Sequence, residues 1–302
     1  MTEPIPTFRL RRGTADDSRR AFDIFLPAVR DLTQRLNVPW EVEAEALWER
    51  MRYLWDRLAD HHAEWWFAED EATGEAIGYA RSVERGGLLE LTEFFVHPGS
   101  QAGGVGRRLL ERAFPADRGE VRAIIATTDT RAQSRYYRAG TAARFPIASL
   151  EAEPRPVELG DAKLEVERLA PDADLAPLRR IEAEVLEFDR GDEFRWLLGQ
   201  REGYLYRRGG EPIGFAFVGR STGPIAALDP ADQVPILRHV ESRAAALGVP
   251  MLSLEVPMPN EVAVRHLLSR GFRIDPFYTF LMSSRPVGQF DRFIGFAPPF
   301  FL

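Results

Sequence analysis

Cysteine is absent from this 302-residue chain. That excludes disulfides, thiolate metal sites and a cysteine nucleophile. Lysine occurs once, at Lys163, and every other basic side chain is arginine, a composition bias and not a mechanistic feature. No apolar run approaches the ~18 residues needed to span a bilayer, so no membrane role is expected. The first residues, MTEPIPTFRLRRGT, lack the apolar core of a signal peptide, and the expected location is the cytoplasm. Histidine is scarce: five residues are scattered, and the His61-His62 pair lacks a partner at ligand spacing. Metal catalysis is therefore not expected. The net charge of −7 disfavours nucleic acid, whose binders carry a basic patch. It suits a cationic substrate, and also serves solubility.

What the chain does have is a packed-core composition, 45% hydrophobic and 28% charged, and a β/α pattern that occurs twice. Strands are predicted at 8–12, 64–68, 77–83, 88–96, 121–127 and 144–150. Helices are predicted at 15–36, 40–62, 105–114 and 131–138, from apolar spacing near 3.6 residues. The segment 151–161, EAEPRPVELGD, has two prolines and no periodicity and reads as a linker. Beyond it, strands at 164–169, 204–207, 213–218, 225–228, 251–256 and 272–282 alternate with helices at 174–188, 231–247 and 261–270. The expected organisation is thus a domain at 1–150, the linker, and a second domain at 162–302, in an α/β (α+β) class.

The stretch Glu90–Leu110, ELTEFFVHPGSQAGGVGRRLL, carries the clearest chemistry. An apolar strand ends at His97-Pro98, and glycines then open an amphipathic helix. Glycine lets backbone N–H groups approach a ligand closely. With the positive end of the helix dipole they form an anion site, to which Arg107 and Arg108 add charge. An ordinary glycine-rich turn would look the same.

The pattern Gln101-x-x-Gly104-x-Gly106 after a strand ending "VHP" resembles motif A of the Gcn5-related N-acetyltransferase (GNAT) family. The spacing departs from a dinucleotide-binding fingerprint, and no Lys-Ser/Thr follows as in a phosphate-binding NTPase loop. The resemblance implies two tandem GNAT-like domains, each a mixed, mostly antiparallel central sheet flanked by helices. It implies acetyl transfer from acetyl-CoA to a small-molecule amine in one ternary complex, without metal. A non-catalytic acyl-CoA sensor is the other reading. By resemblance, Phe94, Phe95 and Val96 line the pantetheine arm and polarise the thioester, while Gln101, Ala102, Gly103, Gly104, Val105, Gly106 and Arg107 cradle the pyrophosphate.

In DTRAQSRYYRAG, the family's later motif places Asp129 where an Asn is usual, and Tyr136 as general acid to the CoA thiolate. Tyr137 is adjacent, and the register leaves either tyrosine open. A free tyrosine would lose its proton near pH ~10. Glu90 and Glu93 are the candidate bases. Glu90, eleven residues before Gln101, matches the histone-acetylating branch, whereas Glu93 lies nearer the thioester and is slightly favoured. In a regular strand the two face opposite sides, and a bulge would change that. Five of the six tryptophans lie between 40 and 66. Trp40 and Trp48 are candidates for an acceptor wall, with core packing the plainer reading.

In the second half, IAALDPADQVPILRH has no glycine and brings Asp229 and Asp232 to the loop position. Asn260-x-x-Ala263 and Gly271-Phe272 still fit the later motif, but the tyrosine position is Leu267. A degenerate copy without cofactor is expected. The aromatic tail FDRFIGFAPPFFL is expected to dock on a surface, within the chain or across a homodimer.

Overall fold

The computed structural model describes residues 7–38, 40–101, 103–161 and 163–295. The chain divides into two compact units. Of the described residues, the first holds those up to Ala142 and Ser283–Arg285; the second holds Ala143–Met282 and Pro286–Gly295.

In the first unit the order is β1 (Phe8–Arg12), α1 (Ser18–Arg35), α2 (Ala44–Asp60), β2 (Glu64–Asp70), β3 (Ala76–Arg85), β4 (Leu88–Val96), α3 (Val105–Ala113), β5 (Val121–Thr127) and α4 (Thr130–Arg138). The strands lie in the order β1-β2-β3-β4-β5. All pair antiparallel except β4 with β5, which run parallel. Before α1, Thr14 and Asp17 close a capping box, the Thr14 N–H reaching Asp17 Oδ2 at 2.9 Å. Glu43 caps α2 by accepting from the amides of Glu45 and Ala46.

An aromatic layer joins α1 and α2 to one sheet face. Phe22, Trp48, Trp55, Trp65, Phe67 and Tyr79 are buried there, with Phe25, Trp40 and Phe95 packed against them. Burying such side chains contributes roughly 1.5–3 kcal/mol each. α3 covers the other face, where a Cβ on Gly78 would sit 3.1 Å from Leu109.

The second unit contains most of β6 (Ala142–Ala152), then β7 (Leu164–Arg168), α5 (Ala176–Leu186), α6 (Glu193–Gln200), β8 (Glu202–Arg208), β9 (Glu211–Val218), β10 (Ile225–Ala227), α7 (Gln233–Ala246), β11 (Leu252–Pro257), α8 (Glu261–Ser269), all but the last residue of β12 (Arg273–Ser283), and β13 (Phe293–Ile294). Its strands follow β13-β10-β9-β8-β7 in one sheet and β12-β6-β11 in another. Two elements were not expected from the sequence, α6 and β13. Strand β6, expected at the end of the first half, pairs with β11 of the second unit. The segment expected as a linker is fastened to α7: the Val157 amide donates to Ser242 Oγ at 2.8 Å, and that hydroxyl donates back to the Val157 carbonyl. Among the described residues no helix is long and apolar enough to cross a membrane.

Candidate functional site

The site is opened by two irregularities in β4. The first is a bulge. Arg81 pairs with Glu93 and Ser82 with Leu91, so Thr92 is the extra residue, and its Oγ1 donates to the Arg81 carbonyl at 3.1 Å. The bulge settles the parity of the two glutamates. Val83 faces Glu90, Arg81 faces Glu93 and Tyr79 faces Phe95. Residues opposite each other share a face, so Glu90, Glu93 and Phe95 all lie on the face of the aromatic layer.

The second irregularity is a divergence. β4 and β5 pair from Leu88/Val121 to Leu91/Ile124, and no further. Beyond that point Thr92–Val96 and Ile125–Thr127 separate. The cavity between them is lined by Thr92, Phe94, Phe95 and Val96 from one strand and Ile124, Ile125 and Thr127 from the other. Backbone groups on the β5 side of Thr92–Val96 have lost their ladder partner. They are free for a ligand that hydrogen-bonds like a strand.

Gln101, Gly106, Asp129 and Tyr136 add to the lining, as do Ala28 and Leu32 of α1, with Arg35, Arg131 and Arg135 at its rim. Gly103 and Gly104 both have φ of 83°, in the left-handed region that glycine adopts without strain. Gly104 is the N-cap of α3, and a Cβ there would meet nothing within 4 Å. Among the described residues the space in front of the helix start is therefore open, and its first amides face it unpaired within the helix. Gly106 brings that first turn close to Phe94, whose ring atom would lie 3.1 Å from an added Cβ. An open helix start flanked by positive-φ glycines has the chemistry to hold a diphosphate. Ala102 lies outside the described residues, and Arg107 is exposed, 3.9 Å from Glu111.

Of the two tyrosines, Tyr136 is buried and lines the cavity, its ring 6.1 Å from that of Phe94. Tyr137 is 52% exposed and is not among the lining residues. Burial pushes the Tyr136 phenol well above the ordinary tyrosine value; Asp129 adds to this and Arg135 opposes it. The group stays a proton donor across neutral pH. Asp129 caps α4 through the Arg131 amide at 2.9 Å and pairs with Arg35 at 3.1 Å. Burial raises its carboxyl, but the bonds from Arg131 and Arg35 prevail and hold it below the usual range.

The candidate bases are elsewhere. Glu93 is 4% exposed; its Oε1 accepts from the Tyr79 hydroxyl at 2.9 Å and its Oε2 from the Arg81 guanidinium. Arg81 is fully buried, 4.5 Å above the Trp65 ring, with Nη1 on the Trp55 carbonyl at 3.4 Å. Glu90 is also buried. Neither glutamate lines the cavity. Trp40 and Trp48 belong to the aromatic layer and not to the cavity wall. Sequence reasoning missed Thr92, Arg35, Arg131 and Arg135. An arginine at the end of α1 carries no local signal of a site that forms 94 positions later in the chain.

A parallel pair that splits beside a glycine-opened helix defines a cleft for an extended ligand with an anionic end. Residues 26–140 match the profile of the acetyltransferase (GNAT) family. That region belongs to this family. The whole chain has the fold of solved GNAT structures. An acetyltransferase candidate from Pyrococcus horikoshii is 17% identical, with 97% of this chain and 96% of that one covered, at a TM-score of 0.70. A GCN5-related N-acetyltransferase from Sphaerobacter thermophilus is 15% identical, with 92% and 96% covered, at 0.60. A tandem GNAT protein of the clavulanic acid biosynthesis pathway is 14% identical, with 93% and 99% covered, at 0.59. A search of curated sequences finds no match. Among the described residues no cluster could hold a metal ion.

Proposed function

We propose that the first unit transfers an acetyl group from acetyl-CoA to an amine. The observation that carries this reading is the split between β4 and β5 beside the Gly103-Gly104 helix start, with Tyr136 buried in the cleft. In this reading the amides opening α3 hold the pyrophosphate, and the cationic rim of Arg35, Arg131 and Arg135 favours the remaining phosphate charge. The free edge of Thr92–Val96 holds the pantetheine arm and offers an N–H to the thioester carbonyl. Alignment of the two reactants supplies on the order of 7–11 kcal/mol of barrier reduction. Tyr136 donates its proton to the thiolate as the C–S bond breaks and the amine nitrogen bonds the acetyl carbon. The amine must be neutral when it attacks. Its proton leaves to water, because among the described residues the one carboxylate lining the cavity is Asp129, already held by Arg35 and Arg131.

The locking of Glu93 favours a second reading, an acyl-CoA binder without turnover. One experiment separates the two. Thermal-shift measurement with acetyl-CoA establishes binding, and release of the CoA thiol across a panel of amines establishes transfer. A folded protein that responds to neither acetyl-CoA nor CoA overturns both readings. Binding without thiol release for any amine selects the second.

A further inference from the structure

The second unit repeats the elements that build the cleft. β10 and β11 stand where β4 and β5 stand in the first unit, α7 follows β10 as α3 follows β4, and α8 follows β11 as α4 follows β5. Asn260 caps α8, the place Asp129 holds at α4. In the first unit the two strands separate around an open cleft. In the second, β13 lies between them.

Its seat is built on every side. Ile294 and Phe293 pair antiparallel with Ile225 and Ala226 of β10. On the opposite side, the Gly295 amide donates to the Glu255 carbonyl of β11 at 2.9 Å. The fully buried Asn260 donates from Nδ2 to the Phe293 carbonyl at 3.3 Å. Gln233, the first residue of α7, donates to the Arg292 carbonyl at 2.8 Å. Phe290, Phe293 and Ile294 are buried, Phe293 to 2% exposure. A chain that exposed such residues would carry an apolar liability.

We infer that this C-terminal strand is the resident ligand of the second unit's cofactor cleft, and that the unit takes no acyl-CoA while the strand is seated. The strand makes the backbone bonds that a pantetheine arm would otherwise make to the edge of β10. The anion end is closed independently. Asp229 caps the Pro230–Asp232 turn through the Ala231 amide at 2.8 Å, Pro230 has no N–H, and Asp232 pairs with Arg208 at 2.6 Å. The identity of the excluded ligand rests on the acyl-CoA reading of the first unit; the seating of the strand does not.

Hydrogen exchange of the full chain, read by mass spectrometry with and without saturating acetyl-CoA, tests this. The amides of Phe293–Gly295 and Ile225–Ala227 should exchange slowly in the free protein and be unchanged by ligand. Those of Thr92–Val96 and Val105–Arg107 should slow on binding. Asn260→Ala should speed exchange at Phe293–Gly295 roughly 5- to 100-fold, since it removes the buried Nδ2 bond to the Phe293 carbonyl. Fast exchange at Phe293–Gly295 in the unsubstituted protein, or new protection at 225–233 with acetyl-CoA, overturns the inference. Slow exchange at Phe293–Gly295 with no ligand effect anywhere upholds the strand's seat and instead counts against acyl-CoA binding by the first unit.

Discussion

Gly104→Asp separates the proposed cofactor site from the fold. Gly104 is the N-cap of α3 at φ 83°, and a Cβ there meets open space. Asp is among the few L residues that visit this conformation, and a carboxylate suits a helix N-terminus. The variant should therefore fold with little loss of stability. Its charge would stand where the proposed function seats the diphosphate. Two unit charges ~4 Å apart repel by roughly 1 kcal/mol in water and about 4 kcal/mol at the effective dielectric of a protein surface. Affinity should fall on the order of 5- to 1000-fold. Acetyl-CoA at 100 times its Kd stabilises a native protein by about 2.7 kcal/mol, a rise of roughly 5–10 °C in the melting temperature of a unit this size. At that same ligand concentration the variant should show a markedly smaller rise, vanishing at the upper end of the repulsion. An unchanged rise in Gly104→Asp would refute the placement of the phosphate at this helix start.

Tyr136→Phe should lower kcat roughly 100-fold or more, the scale of a lost general acid, whereas Tyr137→Phe, on the exposed side, should stay near unchanged; the reverse ranking in steady-state rates would exchange their roles. Because burial raises the Tyr136 phenol above its ordinary value of 10, its acid form persists beyond pH 10, and no alkaline fall in kcat from this group should occur below that pH. Arg81→Met leaves the Glu93 carboxylate buried without its cation and should cost about 3–5 kcal/mol in denaturant unfolding, while Arg81→Met with Glu93→Leu should cost much less; equal losses would mean the pair is not the closed unit seen here. In the second unit, burial and then the nearby Glu151 and Asp275 push Glu255 up to about 7 against an ordinary 4.5, with Ser149 opposing. Its protonated form favours folding below pH 4.5, and that contribution is lost as pH rises through 7. Glu255→Gln should then raise the unfolding free energy at pH 8 by roughly 1–3 kcal/mol and change little at pH 4; the same gain at both values would contradict this.

The backbone of the site was legible in the sequence because its signals are local. The "VHP" strand end, the glycines at 103, 104 and 106 and the amphipathic α3 are contiguous. So are Asp129 and Tyr136, seven residues apart across one short helix. Side-chain partners were not legible, because they come from distant strands. Glu93 looked like a free strand-face carboxylate, but the bulge at Thr92 turns it onto Arg81 and Tyr79, twelve and fourteen positions earlier. Trp48 read as core, with pocket wall as the alternative, since helical spacing fixes a face and not what that face meets. Strand β13 is two residues long and has no periodicity. Only its neighbours make it a strand: β10, whose Ile225 lies 69 positions before Ile294, and β11, whose Glu255 lies 40 before Gly295.

The most direct test of the account is calorimetric titration of the full chain with acetyl-CoA. It predicts one molecule bound per chain, through the glycine-opened helix of the first unit, with the second cleft already filled by Phe293 and Ile294. Two molecules per chain, or no binding to a folded protein, would contradict it.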